Sequence, residues 1–236
     1  MPQVSINTLI SGASQGQLVS FPTDTVPALA ALPKQADLIY TAKQRSQDKP
    51  VILMAASADE LWDYVTGSNE ELEIWRKVAM KYFPGAVTLV LPTASQVAQT
   101  MNPQNPTTLG VRVPASAIAQ QILSQTGALA TTSANLSGEP ALLTMSEIAI
   151  QFPDVLTLAA SECENQTLAT GVPSTVVKWT GKNWQILRQG AVKFDFLTYK
   201  NPLHSYNKIL FSRNYFSGFS KNLFQQGFNC LFLINI

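Results

Sequence analysis

Two short segments hold the side chains best suited to chemistry. KQRSQDKP, at residues 43–50, places three cations in one stretch that ends at a proline: Lys43, Arg45 and Lys49. TSANLSG, at residues 132–138, offers hydroxyl and amide groups on small residues. Because ammonium and guanidinium groups bind phosphoryl oxygens through charge-assisted hydrogen bonds, this combination indicates a phosphate-bearing substrate. It favours an enzyme over a scaffold, although cations at a solvated helix end can also serve only the helix dipole.

Arg112 is a further candidate because it interrupts the apolar segment LGVRVP. A buried guanidinium costs free energy unless an anion meets it. That anion is either the carboxylate of a substrate, held by two hydrogen bonds, or an acidic side chain of the protein in a structural ion pair. Both alternatives stay open at this point.

Several kinds of chemistry are not expected. His204 is the only histidine, so Ser-His-Asp catalysis and histidine-rich metal sites are not indicated. Cys163 and Cys230 are far apart and lack CxxC spacing, which argues against a zinc site or a disulfide framework. Neither GxxxxGK[ST] nor GxGxxG occurs, so a nucleotide must be held by another kind of loop.

Length and composition fit a globular protein of either one large domain or one domain plus an extension. The chain has 236 residues, 46% of them hydrophobic, which is enough for a full core. Its net charge of +1 gives no general attraction to nucleic acid or membrane. The N-terminal region lacks a signal-peptide pattern, and no apolar run reaches the roughly 20 residues that span a bilayer. We therefore expect a cytoplasmic protein without a membrane partner.

The elements that must position these residues alternate between strand and helix signals. Strand patterns occur in QLVSF, PVILMAA, VTLVLP, LGVRVP, ALATTS, VLTLAA, STVVKW and WQILRQG. Helical spacing is predicted over residues 36–45 and 115–125. Capping-box pairs that open two further helices are Ser68 with Glu71 and Thr144 with Glu147. This order predicts an α/β fold with a twisted, mixed, open sheet flanked by helices.

Two regions are predicted along the chain. Residues 1–195 form the catalytic domain, and residues 196–236 form an extension outside the conserved fold, since they contain no acidic residue. A nucleic-acid arm or a membrane-touching tail is one interpretation of the extension. An appendage without a selected role is the other interpretation, and the one we favour.

Seven segments in order resemble the YrdC-type threonylcarbamoyl-AMP synthases. They are FPTDTVPALAA, YTAKQRSQDKPVILM, FPGAVTLVLP, LGVRVP, TTSANLSG, GVPSTVVKW and ILRQGAV. The resemblance covers residues 5–194 and implies a single YrdC-like domain. It implies a nucleotidyltransferase that condenses L-threonine, bicarbonate and ATP into threonylcarbamoyl-AMP and releases pyrophosphate. This is the first step in forming N6-threonylcarbamoyladenosine in tRNA.

The resemblance also implies a role for each matching residue. Lys43 and Arg45 would be catalytic, since nucleotidyl transfer depends on positioning and on stabilising charge. The ATP-binding set would be Arg45, Lys49, Thr108, Asn135 and Arg188. The threonine-binding set would be Thr23, Thr25, Arg112, Ser133 and Ser174. Alternatively, the hydroxyl and amide groups of TSANLSG and PTDT only satisfy their own turns.

This sequence departs from the family pattern near the first motif. PTDTVPALA stands where the family has P-T-E-T-V-Y-G-L-G, so Pro27 replaces an aromatic residue and Ala28 and Ala30 replace glycines. Met54 stands where some members have histidine, and one extra residue precedes Thr144. These changes concern amino-acid specificity, including discrimination against serine, more than reaction type.

The expected cofactor is Mg²⁺ carried by ATP, because the motifs supply no carboxylate cage and no metal-binding residue is indicated. The expected partner is the tRNA threonylcarbamoyltransferase complex downstream, and tRNA itself is a weaker expectation. Two other functions stay open. One is the carbamoyl-adenylate module of a hydrogenase-maturation carbamoyltransferase, and the other is a non-catalytic RNA-binding protein, which the near-neutral charge disfavours.

Overall fold

A computed structural model describes residues 3–163 and 170–196. Most of the predicted extension, together with His204 and Cys230, lies outside the described residues. None of the helices within the described ranges combines the length and the apolar character needed to cross a bilayer.

One mixed sheet of ten strands organises the described residues. Its strands are β1 Gln3–Val4, β2 Val19–Phe21, β3 Ala28–Ala31, β4 Ile52–Met54, β5 Val87–Pro92, β6 Thr108–Arg112, β7 Leu129–Ser133, β8 Leu156–Leu158, β9 Thr175–Trp179 and β10 Trp184–Arg188. Their spatial order is β1-β8-β2-β3-β7-β4-β6-β5-β9-β10. The pairs β1/β8, β2/β8, β4/β6 and β5/β9 are parallel, and the other five are antiparallel. The predicted mixed, open α/β sheet is confirmed.

Seven α-helices of the described residues flank this sheet. They are α1 Ile6–Ser14, α2 Asp37–Ala42, α3 Asp59–Trp62, α4 Asn69–Tyr82, α5 Ala98–Met101, α6 Ala117–Thr126 and α7 Met145–Gln151. Both predicted capping boxes are confirmed at the starts of α4 and α7. In each, the cap hydroxyl accepts from the N3 amide while the N3 glutamate accepts from the cap amide, so two unpaired helix donors are satisfied.

Side chains of the central strands point alternately into two hydrophobic clusters. In β4, Leu53 packs in the cluster that contains Trp75 of α4, whereas Met54 packs in the cluster that contains Ile122 of α6. Because successive strand residues point to opposite faces, the two clusters lie on opposite faces of the sheet. The second face also carries a cleft over β4, β6, β5 and β9.

Candidate active site

The cleft has a volume of about 470 Å³, and its floor is made by alternate residues of four neighbouring strands. These floor residues are Ile52 and Met54 of β4, Gly110 and Arg112 of β6, Thr88 and Val90 of β5, and Val176 and Lys178 of β9. The register of strand pairing explains why these side chains lie together. Met54 is paired with Arg112, and Val90 is paired with both Gly110 and Lys178, so these side chains form rows across one face.

Eight of the predicted site residues line this cleft. They are Thr23, Thr25, Arg45, Thr108, Arg112, Ser133, Ser174 and Arg188. Three others, Lys43, Lys49 and Asn135, are not among the lining residues. The structure thus brings most of the predicted set together, while the role of each residue stays a prediction.

Arg112 forms a buried ion pair with Asp24. Its Nη2 donates to Asp24 Oδ1 at 2.7 Å, its Nη1 to Thr25 Oγ1 at 2.9 Å and its Nε to the Gly85 carbonyl at 3.0 Å. The two charged side chains are 4% and 16% exposed. Burial lowers the pKa of Arg112, and Asp24 partly reverses that shift. Of the five guanidinium N–H groups, two are left over after these three bonds. The structural ion pair considered for Arg112 therefore exists, and it leaves room for a second acceptor.

The PTDT segment forms a turn that also lines the cleft. Thr23 Oγ1 donates to the Val26 carbonyl at 2.7 Å and accepts from the Thr25 amide at 3.1 Å. Both threonines are buried, and the hydroxyl of Thr25 holds Arg112. The hydroxyls of PTDT therefore satisfy their own turn and also lie in the cleft wall. A structural role for this segment and a role in substrate binding are compatible.

Lys43 joins the two motif segments from beneath the cleft. This residue is fully buried, and its Nζ donates to the Ser133 carbonyl and to Asn135 Oδ1. The Lys43 carbonyl also accepts from the Ser137 amide at 3.1 Å. Burial, followed by repulsion from Arg45, lowers the pKa of Lys43 to about 7.

Asn135 has every polar group of its side chain engaged by the protein. Its Oδ1 accepts from Lys43 Nζ at 3.1 Å and from Ser133 Oγ at 2.6 Å. Its Nδ2 donates to the carbonyls of Leu136 and Glu139, both at 2.7 Å. These bonds fix the loop after β7 and tie it to Ser133, the last residue of β7, which lines the cleft.

Arg45 is braced by carbonyls of its own segment. Its Nε donates to the Lys49 carbonyl at 2.8 Å and its Nη2 to the Pro50 carbonyl at 3.1 Å. Burial lowers the pKa of Arg45, with Tyr40 and Asp48 opposing that shift and Arg188 adding to it. Neutral acceptors hold the guanidinium in place without neutralising its charge.

Arg188 is held at the opposite wall in a comparable way. Its Nη2 donates to the Ser174 carbonyl at 2.9 Å, and the Ser174 hydroxyl lies 2.9 Å from that of Thr88. Burial lowers the pKa of Arg188. Asn102, which is buried in the cleft lining, donates through Nδ2 to the carbonyl and the hydroxyl of Thr108 at 3.0 and 3.2 Å.

Motif reasoning missed four residues that shape the site: Asp24, Thr88, Asn102 and Lys178. Period-two alternation along VTLVLP and STVVKW would have placed Thr88 and Lys178 on the cleft face. The pairing of Asp24 with Arg112 joins residues 88 positions apart, and no local signal announces it.

The cleft is cationic. Its lining includes Arg45, Arg112, Lys178 and Arg188 but only one acidic residue, Asp48. Nowhere in residues 3–163 and 170–196 do three or more His, Cys, Asp or Glu side chains gather in a metal-binding group. Such an environment suits a polyanion, because Arg45, Lys178 and Arg188 form no ion pair with a carboxylate of the described residues.

Comparisons with known proteins agree with this geometry. The Sua5/YciO/YrdC family model, described as "Telomere recombination", matches residues 13–190. The threonylcarbamoyl-AMP synthase of Yersinia enterocolitica is 32% identical over 162 residues, which are 67% of this chain and 84% of that protein. The threonylcarbamoyl-AMP synthase of Pyrococcus abyssi is 33% identical over 77% of this chain, which spans only 52% of that longer relative.

A solved structure shows the same fold. The crystal structure of P. abyssi Sua5 complexed with L-threonine matches with a TM-score of 0.68 and 27% identity, over 87% of this chain and 57% of that one. The family model covers most of this chain, and the match to the Yersinia protein spans most of that protein. The chain therefore belongs to the Sua5/YciO/YrdC family.

Proposed function

We propose that this protein is an L-threonylcarbamoyladenylate synthase, which converts L-threonine, bicarbonate and ATP into threonylcarbamoyl-AMP and pyrophosphate. The observation that carries this proposal is the cationic cleft, in which Arg45 and Arg188 are fixed by neutral carbonyls. Relatives named threonylcarbamoyl-AMP synthase support the reaction type.

The chemistry has two bond-forming steps. The amine of threonine attacks CO₂ derived from bicarbonate, loses a proton and becomes a carbamate. A carbamate oxygen then attacks the α-phosphorus of ATP in line, the bond to the β-phosphate bridging oxygen breaks, and pyrophosphate leaves. Negative charge builds on the phosphoryl oxygens, so prepositioned cations lower the barrier without proton transfer.

Arg45 is the catalytic cation that the geometry supports best, because its guanidinium lines the cleft and is rigidly held. Arg188 and Thr108, which also line the cleft, bind the nucleotide. Lys43 acts through the loop that it fixes, together with Asn135, and Lys49 contributes charge at the exposed end of the segment.

Threonine binds where Arg112 and the hydroxyls of Thr23, Thr25, Ser133 and Ser174 converge. Its carboxylate takes the two guanidinium N–H groups that Asp24, Thr25 and Gly85 leave over. Val26 and Ala28 also line the cleft, whereas Pro27 does not. The proline that stands at the family's aromatic position therefore does not occupy the threonine-binding part of the cleft.

Mg²⁺ enters with ATP as part of the substrate, since phosphate oxygens and water suit this ion and Asp48 is the acidic side chain in the cleft lining. The product passes to a complex that transfers the threonylcarbamoyl group to tRNA. Direct contact with tRNA is not required for the first step.

A pyrophosphate-release assay tests the proposal. The full chain is incubated with MgATP and bicarbonate, with threonine, serine or carbamoyl phosphate as the third component. We expect threonine to accelerate pyrophosphate release and serine to do so less well. Release that does not depend on threonine contradicts the proposal, and stimulation by carbamoyl phosphate alone favours the carbamoyl-adenylate alternative.

A further inference from the structure

Lys178 is a cation of the cleft to which neither the motifs nor the comparisons give a role. It lies in β9 between Val177 and Trp179, whose side chains are buried in the core on the other face of the sheet. Strand alternation therefore turns Lys178 toward the cleft, where it is half-buried and part of the lining.

Lys178 lies beside the part of the cleft floor that β5 and β6 form. Lys178 is paired with Val90, and Val90 is paired with Gly110, so a residue without a side chain lies two strands away. A Cβ at Gly110 would approach Ile52 Cγ2 to 2.9 Å, which shows how closely the neighbouring strand fills that position. A ligand group lying over Val90 is within reach of the flexible ammonium of Lys178, because the two residues are directly paired across β5 and β9.

Lys178 has no hydrogen-bond or ion-pair partner among the described residues. Arg188, on the neighbouring strand, is paired with Val176, which shares the cleft face with Lys178. Arg188 also lowers the pKa of both Arg45 and Arg112 through charge repulsion, so it lies within electrostatic reach of each. Arg112 already has Asp24, which leaves three cations and Asp48 facing the cleft.

We propose that Lys178 is a further binding residue for the polyphosphate chain of the nucleotide, acting with Arg45 and Arg188. This assignment rests on the proposed function in taking ATP as the substrate. The ligand class that Lys178 binds is a linear polyphosphate, because a lysine ammonium acts as a point charge with three hydrogen-bond donors. Lys178 takes no part in bond making.

Binding of inorganic tripolyphosphate to the full-length protein, measured by calorimetry at fixed ionic strength, tests the assignment. Lys178→Ala removes the ammonium, and Lys178→Arg keeps the charge. Lys182→Ala is the matched control, because Lys182 is exposed between β9 and β10 and is not in the cleft lining. Steady-state KM values for ATP and threonine are measured on the same proteins.

We expect Lys178→Ala to weaken tripolyphosphate binding about tenfold, as the loss of one charge-assisted hydrogen bond implies. KM for ATP should rise by a similar factor and KM for threonine should not change. Lys178→Arg should keep most of the affinity, and Lys182→Ala all of it. Wild-type affinity in Lys178→Ala overturns the assignment, as does a wild-type protein that does not bind tripolyphosphate.

The two proposals fail in different ways. If tripolyphosphate binding depends on Lys178 but pyrophosphate release does not depend on threonine, the proposed function is wrong and the polyphosphate site stands. If release depends on threonine and Lys178→Ala binds tripolyphosphate normally, only the role of Lys178 is wrong.

Discussion

Two groups of cations in the cleft differ in what already faces them. In the paired corner, Arg112 is nearly fully buried and bonded to Asp24 and Thr25. In the open group, Arg45, Lys178 and Arg188 form no ion pair among the described residues, and the two arginines donate to neutral acceptors: backbone carbonyls and, for Arg188, also the Ser174 hydroxyl. The paired corner therefore contributes to the fold and orients one end of a substrate. The open group keeps its charge for a polyanion.

The same distinction separates the three cations of KQRSQDKP. Lys43 points under the loop after β7, Arg45 lines the cleft, and Lys49 is exposed outside the lining. Proximity in sequence made all three candidates, but they lie in the segment of turns and bends that follows α2, which places each side chain in a different environment. Their contributions to activity and stability should differ accordingly.

The largest effect is expected in the paired corner. Arg112→Ala leaves the partly buried Asp24 carboxylate without its partner, and we expect this to cost about 3 kcal/mol of unfolding free energy, the lower end of the range for a fully buried pair. Denaturant unfolding measures this loss. Removing both partners should cost less than removing Arg112 alone. Lys81→Ala, at the exposed pair with Asp195, is the control and should change stability little. Wild-type stability of Arg112→Ala would show that the pair has no structural role.

In the open group, a substitution should lower the turnover rate and leave the stability of the fold nearly unchanged. Arg45→Ala should lower kcat about 10²–10³-fold, the usual cost of removing one preorganised donor to a developing negative charge. Its melting temperature should stay near that of the wild type, because its acceptors are exposed segment carbonyls. Single-turnover kinetics and a thermal melt on one preparation check both parts. A folded Arg45→Ala protein with full activity contradicts the catalytic role.

Lys43 should make the stability of the folded protein depend on pH. Its pKa is 10.5 in the unfolded chain and about 7 in the folded protein. Between these values the unfolded state binds a proton that the folded state has lost, so the unfolding free energy rises with pH. The slope is at most about 1.4 kcal/mol per pH unit. The difference between wild type and Lys43→Met, measured by denaturant unfolding at several pH values, should show this rise.

Lys182→Met, at an exposed lysine, should show no such slope relative to the wild type. A flat difference for Lys43→Met would mean that Lys43 stays charged in the folded protein.

The smallest effect is expected at Lys49. Because its side chain is exposed and outside the cleft lining, Lys49→Ala should raise KM for ATP by less than about fivefold, as for a solvent-screened charge. ATP saturation curves for this variant and Arg45→Ala, run together, give the contrast. Equal losses in the two variants would remove the distinction drawn within KQRSQDKP.

Much of the fold could be predicted from local patterns. Apolar runs marked the strands that became β2 and β4 through β10, and the two capping boxes marked the starts of α4 and α7. Strand β3 was missed because ALAA has helix-forming residues. It becomes a strand through pairing with β2 and β7, which is a tertiary effect. Helix α1 was missed because INTLISGAS is short and lacks a charged polar face.

The site could be predicted in outline but not in its pairings. Eight of the charged and hydroxyl residues at motif positions lie in the cleft lining. The bond from Arg112 to Asp24 and the burial of Lys43 depend on contacts between residues about 90 positions apart, and motif spacing carries no information on which partner is reached. Lys178 was overlooked because a single lysine in a strand is usually a surface residue.

A dual-label experiment tests the central claim most directly. The protein is incubated with ATP, tritiated threonine and carbon-14 bicarbonate, and the adenylate product is isolated by chromatography. We predict one nucleotide product that contains threonine, bicarbonate carbon and AMP in equal amounts, formed together with pyrophosphate and almost absent with Arg45→Ala. An adenylate that lacks either label, or equal yield from Arg45→Ala, would contradict the account.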